Sequence, residues 1–113
     1  MSETQKILFV CSQNQWRSLT AEKIYEGFSH YQARSAGTAE RARVRVTDGH
    51  IGWADWIFVM EKKHIQFLTS KYGDRLREKK VVCLNIPDQY QFMDRELVDL
   101  LKSRLSQYID VPQ

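Results

Sequence analysis

The chain has 113 residues, 42% of them hydrophobic and 27% charged, and a formal net charge of +3. A chain of this size and composition makes one domain, residues 1–113, that buries roughly two-thirds of its unfolded surface, which excludes a disordered or fibrous protein. The mild basic excess favours acidic ligands without the density of a nucleic-acid binder.

The longest unbroken apolar run, Ile7 to Cys11, is far short of a membrane span, and Met1 to Lys6 is too polar for a signal peptide. Two cysteines 72 positions apart, with His at 30, 50 and 64, form neither a disulfide framework nor a metal-ligand spacing. The expectation is a cytoplasmic thiol protein without metal or cofactor and without a membrane partner. Nothing in the sequence sets an oligomeric state.

In chain order, Ile7-Leu8-Phe9-Val10 reads as a strand buried on both faces, the habit of parallel sheets covered by helices. Ala21, Ile24, Tyr25 and Phe28 then share one helical face, with Gly27 at its end. Tyr31 to Ser35 is a weaker strand ending in Ala36-Gly37-Thr38, and the stretch up to Trp53 reads as irregular. Within it, Arg41, Arg43 and Arg45 alternate with apolar residues and suit either a solvated or helix-capping role or an acidic-substrate patch. Trp56 to Met60 is a third strand, with Trp56 read as core and Trp53 as exposed. Glu61 to Tyr72 is a helix with Glu61 at its positive end and His64 on its surface. Val81 to Leu84 is the fourth strand, with Cys83 a small buried hydrophobe. Asp94 caps a last helix reaching about Ile109, with Leu97, Leu101, Leu105 and Tyr108 on one stripe. Such alternation predicts right-handed crossovers and a three-layer α/β/α sandwich around a four-stranded parallel sheet.

Ligands of such folds bind beyond the C-terminal strand ends. There the chain reads Val10-Cys11-Ser12-Gln13-Asn14-Gln15-Trp16-Arg17-Ser18 and passes straight into a helix. Backbone N–H groups curling inward from such a loop, aided by the helix dipole, cradle an anion. A thiol seated there is favoured as the nucleophilic thiolate. Arg17 brings a fork matched to two phosphate oxygens.

Val10-Cys11-x-x-Asn14-x-x-Arg17-Ser18, followed by Thr20-Ala21-Glu22, resembles the phosphate-binding loop of the low-molecular-weight protein tyrosine phosphatases. Ser35-Ala36-Gly37-Thr38, Ala54 to Glu61, and Asp88-Gln89-Tyr90 are similar to later segments of that family, in the same order. The resemblance implies metal-free hydrolysis of a phosphorylated protein or a small aryl phosphate. By that likeness Cys11 is the nucleophile, Arg17 binds the phosphoryl group and Asp88 is the general acid. Ser12, Gln13, Asn14, Gln15, Trp16, Arg17 and Ser18 form the phosphate-binding loop. Asn14 takes its left-handed point, Ser18 steadies the thiolate, and Trp16 and Tyr90 line the cleft.

The departures from the family pattern are Gln13 where Gly is usual, Trp16 where many members carry a second Cys, and Gln89 in place of Pro. Asp94 stands as a fallback acid, and the chain is shorter than usual between Thr38 and Trp53. Two other readings remain open. One is a phosphate-recognition module without efficient turnover, the other an arsenate reductase, which would have only Cys83 as a relay thiol.

Overall fold

The protein is described as a computed structural model covering residues 4–112. Residues 1–3, part of the stretch read for targeting signals, and residue 113 lie outside the described residues. Four strands, β1 (Gln5–Cys11), β2 (Tyr31–Gly37), β3 (Trp56–Val59) and β4 (Lys80–Cys83), form one sheet in the order β2-β1-β3-β4, all pairs parallel. The helices are α1 (Arg17–Ile24), α2 (Asp48–Trp53), α3 (Lys62–Tyr72) and α4 (Arg95–Leu105), with a 3-10 turn at Gly73–Leu76.

Alternation along the central strands splits the core into two halves. Ile7, Phe9, Cys11 and Phe58 pack with Ala21 and Tyr25 after the first crossover and with Leu97, Leu101 and Leu105 of α4. Leu8, Val10, Ile57 and Val59 point the other way, onto Ile51 of α2 and Leu68 of α3. Every one of these side chains except Cys11 is fully buried or within 1% of it, which explains the unbroken apolar runs. Each buried leucine of α4 contributes about 1.5–3 kcal/mol of transfer free energy. The result is the α/β/α sandwich expected from the sequence, with β1 central and its C-terminal end opening onto the loop that carries Cys11.

Several elements differ from expectation. The first helix stops at Ile24, and Tyr25 to Gly27 form a turn with Gly27 at φ 78°, so Phe28 reaches the core from a loop. The last helix ends at Leu105, short of Ile109. The stretch read as irregular contains α2, six residues long, capped by Thr47, whose hydroxyl accepts from the His50 N–H. Two glycines in this helix, Gly49 and Gly52, hide it from any periodicity argument. Cys83 ends its strand half-exposed rather than buried. Trp53 is half-buried against the core with the Arg34 guanidinium 4.4 Å above its ring. Among the described residues, no helix is long and apolar enough to cross a membrane.

Candidate active site

Cys11 is 3% exposed at the end of β1, and the chain turns through residues 12–16 before α1 begins. Asn14 makes the turn possible. It sits in the left-handed region at φ 57°, which Asn tolerates better than most residues. Its Nδ2 donates to Ser18 Oγ at 2.7 Å, tying the loop to the first turn of α1.

Four successive carbonyls of this loop are held from outside. Thr38 and Ala39 N–H donate to the carbonyls of Cys11 and Ser12, Arg43 N–H to Gln13, and Arg43 Nε to Asn14. With the carbonyls turned outward, the amides turn inward. No backbone N–H from Ser12 to Trp16 has an acceptor among the described residues. A ring of free donors of this kind is an anion-binding nest. Its close fit against β2 requires glycine at 37, where a Cβ would fall 2.4 Å from the Ser12 carbonyl oxygen and 2.6 Å from Ala42 Cβ.

Ser18 Oγ lies 2.9 Å from Cys11 Sγ. Asn14 already donates to that oxygen, so the Ser18 hydroxyl proton is free to point at the Cys11 sulfur as a hydrogen-bond donor. Arg17 opens α1 yet is only 2% exposed. Its Nη1 donates to Glu61 Oε2 at 2.5 Å and to the Ile86 carbonyl at 2.9 Å. Both Nη1 protons are thereby committed, and Nε–H and Nη2 remain as the fork. Asp88 Oδ1 stands 3.7 Å from Arg17 Nε on a side chain 56% exposed. The Arg17 hydrogen bond holds the Glu61 carboxyl below the usual carboxylate range against the opposing effect of burial, with the Arg17 and Lys63 charges reinforcing it.

Behind the loop lies His64, 1% exposed. Its Nδ1 accepts from Glu61 N–H at 3.0 Å, and its Nε2 is 2.9 Å from Ser12 Oγ. Burial, then the neighbouring Arg17 charge, pushes its pKa down to about 4, so the ring is neutral at pH 7. This corrects the surface position read from the sequence. The signal was available: His64 and Leu68 are four apart, one helical turn, and Leu68 is fully buried.

These groups close around a cavity of about 130 Å³ lined by Cys11, Ser12, Gln13, Gln15, Trp16, Arg17 and Asp88. That is well below the roughly 300 Å³ at which ordinary small-molecule pockets begin. Of the residues singled out in the sequence, Cys11, Arg17 and Asp88 come together here, and Trp16 forms part of the wall, 44% exposed. Asn14 and Ser18 lie buried beneath the cavity. Tyr90 is half-buried against the core and is not part of the lining. Asp94 is engaged as the cap of α4, its Oδ1 accepting from Glu96 N–H at 2.9 Å. The three alternating arginines are all exposed, and Arg43 also braces the loop through its Nε, a use neither sequence reading included.

No family model and no curated protein matches the sequence. Solved structures do match. The low-molecular-weight protein tyrosine phosphatase SP-PTP of Streptococcus pyogenes superposes with a TM-score of 0.73 at 16% identity, covering 95% of each chain. The tyrosine phosphatase Wzb of Escherichia coli K30, solved in complex with phosphate, gives 0.72 at 19% identity over 93% of this chain and 96% of its own. The YwlE arginine phosphatase of Geobacillus stearothermophilus gives 0.66 at 17% over 96% and 99%. The chain therefore has the fold of the low-molecular-weight protein tyrosine phosphatases. At these identities the likeness establishes architecture, and the chemistry has to be argued from the site.

Proposed function

We propose that this protein is a cysteine-dependent phosphatase that hydrolyses phosphomonoesters, protein phosphotyrosine foremost, through a cysteinyl-phosphate on Cys11. The observation that carries this reading is the ring of acceptor-free amides from Ser12 to Trp16 around a cavity that Cys11 and the buried Arg17 share. In the first step Cys11 sulfur attacks phosphorus in line while Asp88 protonates the departing oxygen. In the second, Asp88 as base takes a proton from water, whose oxygen displaces the thiolate and releases phosphate. Negative charge gathers on the three non-bridging oxygens in both steps, where the loop amides and the Arg17 fork are already in place.

The size of the cavity supports an aryl substrate. It has room for little beyond the phosphoryl group, so the leaving group rests outside, against the exposed face of Trp16. Relay chemistry with the second thiol is disfavoured by position. Cys83 packs with the sheet half opposite Cys11, two strands away, about 10 Å at ordinary strand spacing. A Cys11–Cys83 disulfide would require backbone movement.

Hydrolysis of a chromogenic aryl phosphate tests the proposal. Turnover should survive EDTA, be inhibited competitively by vanadate, vanish in Cys11→Ser, and fall on the order of 100-fold in Asp88→Ala. One observation favours a second reading, phosphate recognition with little turnover: Asp88 is mostly exposed, and its only recorded partner among the described residues is Arg17 at 3.7 Å. Wild-type protein that binds phosphate but turns over no aryl phosphate would establish that reading instead.

A further inference from the structure

Two polar groups at this site have no part in the scheme above. Ser12 lines the cavity beside Cys11, and its hydroxyl is paired with His64, a histidine buried to 1% exposure. The direction of that hydrogen bond follows from the other ring nitrogen. Nδ1 lies 3.0 Å from the Glu61 backbone nitrogen, and a backbone N–H can only donate. Nδ1 is therefore bare, and the single proton of the neutral ring sits on Nε2. A second ring proton would point straight at the Glu61 N–H, so the same contact opposes the imidazolium. Arg17, Lys63, Glu61 and Asp88 are the charged groups around the ring, and the Arg17 and Lys63 cations also oppose its protonation.

Nε2–H thus donates to Ser12 Oγ and occupies one of its lone pairs. The serine proton must point elsewhere, and no other acceptor for it is recorded among the described residues. We infer that the Ser12 hydroxyl is a further phosphoryl-binding donor of this site, and that His64 is the positioning residue that turns its proton into the cavity. The inference rests on the proposed phosphatase reading and adds to it a side-chain donor beside the loop amides and Arg17. The polarity is the reverse of a nucleophile–base pair, in which the imidazole would accept from the hydroxyl. Ser12 acts here as a donor to oxyanions and has no role as a nucleophile.

A donor to a charged oxygen is worth on the order of a ten- to hundredfold change in affinity. Ser12→Ala, Ser12→Thr, His64→Phe, His64→Gln and the Ser12→Ala/His64→Phe double variant are compared by aryl phosphate kinetics and by calorimetric titration with inorganic phosphate. Ser12→Ala should lower kcat/KM and weaken phosphate binding at least about tenfold, with Ser12→Thr near wild type. His64→Phe should reproduce the loss, His64→Gln, which keeps a donor, should recover most of it, and the double variant should be no worse than Ser12→Ala alone. Ser12→Ala within twofold of an active wild type on both readouts overturns the inference while leaving the phosphatase reading intact. A His64→Phe loss that persists in full on the Ser12→Ala background overturns the role given to His64. If His64→Phe does not fold, Ser12→Ala and His64→Gln decide alone. A wild type that neither binds phosphate nor turns over an aryl phosphate overturns the phosphatase reading, and this inference with it.

Discussion

Arg17 is a cation at 2% exposure, and its stability in the fold depends on Glu61, the one carboxylate within hydrogen-bonding distance among the described residues. Glu61→Gln keeps size and a hydrogen-bond acceptor but removes the counter-charge. Stripping one partner from a fully buried ion pair costs about 3–5 kcal/mol. Glu61 is 32% exposed and Asp88 remains near, so screening reduces the expected loss to about 2 kcal/mol. For a chain of this length that corresponds to a fall in Tm of roughly 6–12 °C. The same substitution leaves Arg17 seeking an anion, so phosphate should bind the variant more tightly than wild type and close part of the gap. Thermal unfolding followed by circular dichroism at pH 7, across a phosphate series, reads both effects. A Tm within 2 °C of wild type, or a phosphate-induced rise no larger than that of wild type, would refute the assignment of Glu61 as the counter-charge.

Acid should destabilise the fold through two groups acting with the same sign. The His64 pKa is about 4 in the fold against an ordinary 6.5, so the unfolded chain binds more protons between those values. Its contribution is complete above pH 6.5 and is lost as pH falls towards 4, and Glu61, held below its usual range, extends the loss at lower pH. Urea midpoints at pH 7, 5.5 and 4 should fall in that order, with His64→Gln flattening the decline between 6.5 and 4. An equally steep decline in the variant would remove His64 from the account. Gly37→Ala drives a methyl against the Ser12 carbonyl and should cost at least about 2 kcal/mol while weakening phosphate binding. Unchanged phosphate affinity in a calorimetric titration would show that β2 does not shape the loop.

The strands at 7–10 and 56–60 were legible because residues buried on both faces leave no polar alternation, and 81–84 because it is an unbroken apolar run, although Val81 to Cys83 are only half-buried at the sheet edge. The β2 edge was weaker because polar and apolar residues alternate along it. Its burial begins only at Ser35, where the strand reaches the loop. Cys11, Asn14, Arg17 and Ser18 could be read together because they lie within eight positions. Asp88 depended on its place after the fourth strand. Glu61 and His64 act across the sheet, on groups 44 and 52 positions away, and no local pattern encodes that register. A histidine at the third position of a helix reads as solvated until the stripe it shares with Leu68 is counted. The pairing of Glu61 with Arg17 had no sequence signal at all.

The loop around Cys11 is braced from residues 38–43 by three main-chain donors and one side chain, Arg43 Nε. Glu40, Arg41 and Arg45, in the same stretch, are exposed and make no side-chain hydrogen bond or ion pair among the described residues. Scaffold and surface are thus written largely in separate alphabets: three main-chain donors and the Arg43 side chain shape the cradle, while the side chains of Glu40, Arg41 and Arg45 take no part in it. Randomising positions 40, 41 and 45 would change the surface charge of this segment without removing any of the hydrogen bonds that brace the Cys11 loop. The surface of this segment can accordingly drift, or be engineered, without disturbing the brace beneath it.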